Sequence, residues 1–187
     1  MARIEFKNDV TRAFEEAEGS DGRMNVSSRS DGRAYYNSRD LGQCYALTFQ
    51  HTAAIAAEYS FWLQNTSVDK TLVVSSIGVN AIDTARVKLW FTTGTAADGG
   101  LIVPRNLNGS SPNDAACGAR ETAAATPISN LAVSGIHIDQ VAMSAYGHEE
   151  LRLSDRVRLG QNDAVALECE QITSAVDIFG VVFFYFE

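Results

Sequence analysis

Apolar and polar residues alternate with a period of two along much of this chain beyond Gln43. In LRLSDRVRLG, Leu151, Leu153, Val157 and Leu159 fall on one side, and Arg152, Arg156 and Arg158 on the other. Successive side chains of a strand point to opposite faces, so the stretch predicts a strand with one buried and one wet face. DAVALECE repeats the pattern with Val165, Leu167 and Cys169 inward and Glu168 and Glu170 outward, and the GQND between the two runs predicts a tight hairpin turn. CYALTFQ, EYSFWLQ, KTLVVSSIGV, ARVKLWFTT, SGIHIDQVAM and AVDIFGVVFFYFE are further short runs rich in β-branched and aromatic residues. Turn-forming clusters such as NTSVDK, NAIDT and GTAADGG separate them. No segment after residue 20 carries a long 3.6-residue apolar period. About eight antiparallel strands with regular turns predict an all-β fold, a β-sandwich or a barrel.

Two stretches break the rhythm. Residues 104–130, PRNLNGSSPNDAACGARETAAATPISN, are small, polar and turn-forming, and a loop of this length in a compact domain is usually functional or part of an interface. The closing VVFFYF is apolar on both faces. One face must cover the core, and the other needs a second cover: another layer, the N-terminal segment, or another subunit, the last being preferred. Phe183 and Tyr185 are therefore expected in core and subunit packing. Trp62 and Trp90 lie in apolar strands and read as core.

Before Gln43 the chain changes character. Residues 1–18 predict a short helix capped by Asp9, with Val10 and Phe14 on one face, although EEAE opposes the dipole at its end. Next, SDGRMNVSSR is followed directly by SDGRAYYNSR, one decapeptide written twice. Asp-Gly is a tight-turn signal, so the doublet predicts two turns joined by extended segments. In those segments Arg23 and Arg29 share a face, as do Arg33 and Arg39. Such a hairpin is too thinly apolar to stand alone and suits lying on another surface. There the arginines would bond a partner's carboxylates, and Tyr35 and Tyr36 would bury area. The plainer alternative is a pair of strands on the body's own edge with solvated arginines. The expected organisation is a partner-contacting arm over residues 1–40 and a β-domain over 41–187.

Charge narrows the partners. The chain of 187 residues carries a formal charge of −8. Residues 1–40 hold seven basic and eight acidic residues, and 41–187 hold eight and fifteen. An acidic body argues against nucleic acid, which needs phosphates neutralised by Lys and Arg, and against an anionic membrane surface. No run approaches 18 apolar residues, so no membrane-spanning helix is expected. MARIEFKNDV has no apolar h-region, which predicts synthesis in the cytoplasm without a signal peptide.

Candidate chemistry is sparse. Cys44, Cys117 and Cys169 are odd in number and far apart, and read as buried free thiols. His137 and Asp139 share a strand face and, with His148 and Glu149, could form a two-histidine carboxylate metal site, but nothing in the spacing fixes the two histidines together. His51 lies at a strand end. Glu168 and Glu170 are a carboxylate pair whose simplest role is to form a wet strand face. Asn25-Val-Ser, Asn65-Thr-Ser and Asn108-Gly-Ser are glycosylation sequons by pattern alone. No catalytic residue, metal or cofactor is expected.

The layout resembles the small jelly-roll virion proteins of tailed bacteriophages, above all the head decoration (cement) proteins. The likeness rests on the turn-rich arm SDGRMNV, on FWLQNTSVDKTLVVSSIGV, where an apolar strand ends in Asn and a polar turn, on GGLIVPRNLNGSS, and on the closing aromatic strand VVFFYFE, and it spans residues 18–187. It implies a non-enzymatic, jelly-roll-like antiparallel β-sandwich with an extended N-terminal arm. It also implies a homotrimer on the capsid exterior of the virion that binds the major capsid protein and neighbouring copies and stabilises the shell mechanically. Similar jelly rolls serve as head fibres, tail adaptors and tips that bind host receptors or glycans, which is the alternative.

Overall fold

A computed structural model describes residues 5–7, 14–16, 37–53, 57–122, 127–133, 135, 137–171 and 176–187. In chain order its strands are β1 (Glu5–Lys7), β2 (Phe14–Glu16), β3 (Cys44–Ala53), β4 (Glu58–Asn65), β5 (Leu72–Ala81), β6 (Ala85–Thr93), β7 (Gly100–Leu101), β8 (Arg105–Asn106), β9 (Cys117–Glu121), β10 (Ala132–Val133), β11 (Asp139–Met143), β12 (Gly147–Leu159), β13 (Ala164–Gln171) and β14 (Val176–Phe186). A single π-helical turn, Asn37–Leu41, precedes β3. Among the described residues there is no α-helix.

The chain divides into two compact units, 1–32 and 33–187. The second takes in residues 33–40, which the sequence pattern assigns to the arm. In the first, β1 and β2 pair antiparallel, with Phe6 opposite Glu15 and Lys7 opposite Phe14. This corrects the helix expected there: Phe14 lies in a strand. Isolated helices this short are marginal in water, and the acidic run at the end of this one removes what stability it had.

The larger unit is a sandwich of two antiparallel sheets. One runs β12-β5-β14-β3-β8, and the other β10-β6-β13-β4-β9-β7 with β11 also on β6. Eight of the strands thus form two four-stranded layers, β12-β5-β14-β3 and β11-β6-β13-β4. The chain crosses between layers at nearly every connection, which is the double Greek-key wrapping of a jelly roll. The short strands β7 to β10 are additions that widen the layers.

Period-two patterning places the core between the sheets. Leu47, Phe49, Val74, Ile77, Leu151, Leu153, Val157 and Phe184 from one layer meet Phe61, Leu63, Val87, Leu89, Val165 and Leu167 from the other. Phe49 stacks on Phe61 across the interlayer gap, with ring centroids 5.2 Å apart. Phe49 also lies over Gly180 of β14, where an added Cβ would come within 2.1 Å of its ring. The glycine makes room for the ring that fills this part of the core.

Three local features differ from expectation. GQND is not a hairpin turn: β12 pairs with β5 in one sheet, and β13 with β4 and β6 in the other. Two strands that each turn an apolar side to the same core read alike whether they pair or face each other. Within β12, Arg152 pairs with Ser76 but Val157 with Val74, and Ser154 and Asp155 take positive φ in the resulting bulge. The long polar stretch holds β8 and β9, so 104–130 is not all loop. Gly118 of β9 packs on Trp62, where a Cβ would stand 3.3 Å from the indole. The glycine that weakens the strand signal here leaves room for the neighbouring indole.

Asn65 joins these pieces. It is fully buried, and its Nδ2 donates to the carbonyls of Lys70 and Leu159, both at 2.8 Å, while its Oδ1 accepts from the Ser67 amide at 2.9 Å. Its backbone amide donates to Asp163 O, and its carbonyl accepts from the Asn162 amide. One side chain thus closes the β4–β5 turn and fixes the β12–β13 crossover. Buried polar groups cost little only when fully paired. Asn65→Asp faces two carbonyls with an acceptor and is expected to lose roughly 3 kcal/mol or more in urea unfolding, against well under 1 kcal/mol for Val68→Asp in the exposed turn beside it.

Candidate partner-binding surface

The arm residues Arg23, Arg29, Arg33, Tyr35 and Tyr36 lie outside the described residues, and so does the side chain of Arg39. What the structure does describe is the segment leading from them into the body. Asn37 is buried, and its carbonyl accepts from the Gln43 amide at 2.8 Å, closing the π turn. The polar stretch from Asn106 onward then binds carbonyls of that turn and of Gly42 beside it. Asn108 Nδ2 donates to Ser38 O at 3.0 Å, Asn113 Nδ2 to Leu41 O at 3.0 Å, and Asn106 Nδ2 to Gly42 O at 2.8 Å. Gly42 has φ +58°, and a Cβ there would fall 2.2 Å from Ser111 Oγ. The asparagine-rich run therefore acts as a clamp on residues 38–42.

Beside the clamp, the outer face of the five-stranded sheet is built around β14. Register places Phe183 between Ser76 and Ala46, Val181 between Gly78 and Thr48, and Phe179 between Asn80 and Gln50. Small neighbours flank Val181 and Phe183, and an apolar column stands in the middle of the sheet. Phe179 and Phe183 are each 37% exposed, and Leu101 and Val103 beyond the β3 edge are each 75% exposed. Two shallow grooves of about 430 and 360 Å³ run along β3, and both include Thr48 and Ile102. At the other end of the column Tyr185 is fully buried, packed with Cys44 and Val73. The two aromatics expected together in subunit packing are thus placed differently: Phe183 presents surface, and Tyr185 has none to offer.

Arginines rim this face. Arg105 lies beside Ala46, Arg152 beside Ser76 and Arg158 beside Val73, with Arg156 exposed at the β12 bulge. Arg152 Nε bonds Glu150 at 2.7 Å, and Arg158 bonds Glu187.

Part of the outer face of the opposite sheet is covered by the chain itself. Ala96 and Ile128, from the segments either side of the Ala97–Ser129 bridge, pack with Trp62, Ala164 and Ala166. Next to them Lys88 reaches Glu168 and Glu170, both at 3.2 Å, and Arg86 reaches Glu170 at 3.3 Å. Burial alone would lower the Lys88 pKa, but the bonds to the two carboxylates outweigh it and hold the value up. The Glu168–Glu170 pair is thus neutralised by cations on the sheet face. Trp90, read as core, is only half-buried here, with its ring edge-on to His137 at 5.5 Å.

The histidines occupy three separate places. His137 stands at Trp90, His148 bonds Asn80 at 2.9 Å, and His51 is buried between the sheets. No group of three or more His, Cys, Asp or Glu at metal-binding spacing occurs among the described residues. The histidine–carboxylate set considered from sequence is therefore not brought together. The sequence pattern gave no sign of the His51 network: Nδ1 lies 2.6 Å from Ser60 Oγ and Nε2 3.2 Å from Glu58 Oε2. It has the connectivity of a serine–histidine–carboxylate triad, yet Ser60 is fully buried and offers no surface to a substrate. Cys44 and Cys169 are buried free thiols and Cys117 is half-buried; burial pushes Cys117 and Cys169 up to about 12.

Compared with known proteins, the chain matches no family model, no curated protein and no solved structure.

Burial pushes the His51 pKa below its ordinary 6.5, partly offset by Glu58. The unfolded chain then takes up a proton near pH 6.5 that the folded chain resists. The contribution to stability is complete above pH 6.5 and is lost as pH falls from there toward the folded value. Urea midpoints measured between pH 8 and pH 5 are expected to fall with pH in the native protein and to flatten in His51→Gln.

Proposed function

We propose that this chain is a non-enzymatic structural protein of a virion, a jelly roll that decorates and stabilises a phage capsid from outside by binding the major capsid protein and neighbouring copies. The observation that carries the reading is the outer face of β14, an aromatic column rimmed by arginines on an otherwise acidic body. Aromatic residues and arginine are the side chains enriched where proteins meet. The clamp on residues 38–42 supports the same reading, because an arm that transmits load needs a fixed root. The rest of the body acts as a rigid mount. The alternative, a receptor- or glycan-binding virion tip, calls for an exposed aromatic platform over polar groups; Trp62 is sealed and lends it no support.

The test is co-sedimentation with undecorated shells of a tailed phage, comparing the whole chain with one that begins at Arg33, where the larger unit begins. Saturable binding at hundreds of copies per shell, lost without residues 1–32, is the expected result. No binding, or a handful of copies per shell, would overturn the proposal.

A further inference from the structure

The outer face of β14 is an apolar surface that the described residues do not cover. Its opposite number, the outer face of β4 and β13, is capped by Ala96 and Ile128. No such cap lies over Phe179 and Phe183 among the described residues, and both keep more than a third of their surface. Leu101 and Val103, three-quarters exposed, extend the same surface across the β3 edge. An exposed apolar patch ringed by polar groups marks a surface built to be covered.

Charge says what covers it. Of the body's eight basic residues, Arg105, Arg152, Arg156 and Arg158 border this face. Once Glu121, Glu150, Asp155, Asp177 and Glu187 are counted with them, the remainder of the body sets four basic against ten acidic residues. The face is close to balance, and the rest of the body carries a clear excess of carboxylates. A copy of this chain therefore presents, away from its own β14 face, the carboxylates that the arginines of that face would meet.

We propose that the β14 face is a self-association surface, on which a second copy seats an acidic part of its body over Phe179, Val181 and Phe183. Joining two different surfaces makes the contact heterologous, and a heterologous contact that closes gives a ring rather than a dimer. This names neighbouring copies as the partner of the surface on which the proposed function rests. The aromatic column supplies the area, while Arg105 and Arg152 set the register and the salt dependence.

The experiment is sedimentation velocity on the purified whole chain, from about 1 to 100 µM, at low and at moderate salt. The native protein is expected to sediment as a closed oligomer that weakens as salt rises. Phe183→Asp is expected to weaken association at least about 30-fold, as removal of a central aromatic anchor does. Arg105→Glu is expected to weaken it and to reduce its salt dependence, and Val68→Asp, in the exposed β4–β5 turn, to leave it unchanged. Far-UV and near-UV circular dichroism of each variant separates lost association from lost folding. A native chain that stays monomeric throughout, or association indifferent to both Phe183→Asp and Arg105→Glu in folded variants, would overturn the inference. A monomer that still coats shells would sink this inference alone. Self-association without shell binding would sustain it while sinking the proposed function.

Discussion

A strand at the centre of a sheet, apolar on both sides, must be covered twice. β14 is that strand, paired with β3 on one edge and β5 on the other. Its inward side chains, Ile178, Val182, Phe184 and Phe186, are buried in the interlayer core. Covering its outward side is a separate problem, and the chain solves only part of it. At the C-terminal end Tyr185 is sealed with Cys44 and Val73, close to the π turn that leads out of the arm. Toward the middle the cover stops, and Phe183 and Phe179 meet solvent. The anchored arm root and the open face are two ends of one strand side.

The polar parts of the molecule serve that arrangement. Asparagines that sequence patterning marks only as turn-formers carry most of the specific bonding. Asn65 fixes the crossover by satisfying carbonyls from two different turns, and Asn106, Asn108 and Asn113 hold the carbonyls of residues 38–42. An amide suits both tasks because it donates and accepts without the desolvation cost of a charge. Where charges are used, on the opposite sheet, they come as a compact set in which Lys88 and Arg86 answer Glu168 and Glu170. The arginines around β14 are distributed differently, along the border of an apolar surface.

Period-two patterning made the sandwich legible, because it reports which side of each strand is dry. It identified the inward residues of β12 and β13 and the two-sided character of β14. It does not report which strands pair. GQND therefore read as a hairpin when it is a crossover between layers. The β12 bulge was equally hidden: Leu153 and Val157 are an even number of residues apart, so the alternation runs on across Ser154 and Asp155 as if the strand were regular. β9 was missed because Gly118 stands against the indole of Trp62 where strand propensity looks for bulk. The aromatic surface at Phe183 followed from composition, whereas Leu101 and Val103 join it only through the fold. The His51 network draws on residues of two strands in different sheets, and no spacing along the chain announces it.

The most direct measurement of the central claim, that the outer face of β14 is a docking surface, is hydroxyl-radical footprinting of the whole protein, read residue by residue as its concentration is raised. The account predicts that labelling of Phe179 and Phe183 falls together as copies associate, while Tyr146, on an exposed turn, stays constant. Constant labelling of both phenylalanines, with protection appearing elsewhere on the body, would contradict it.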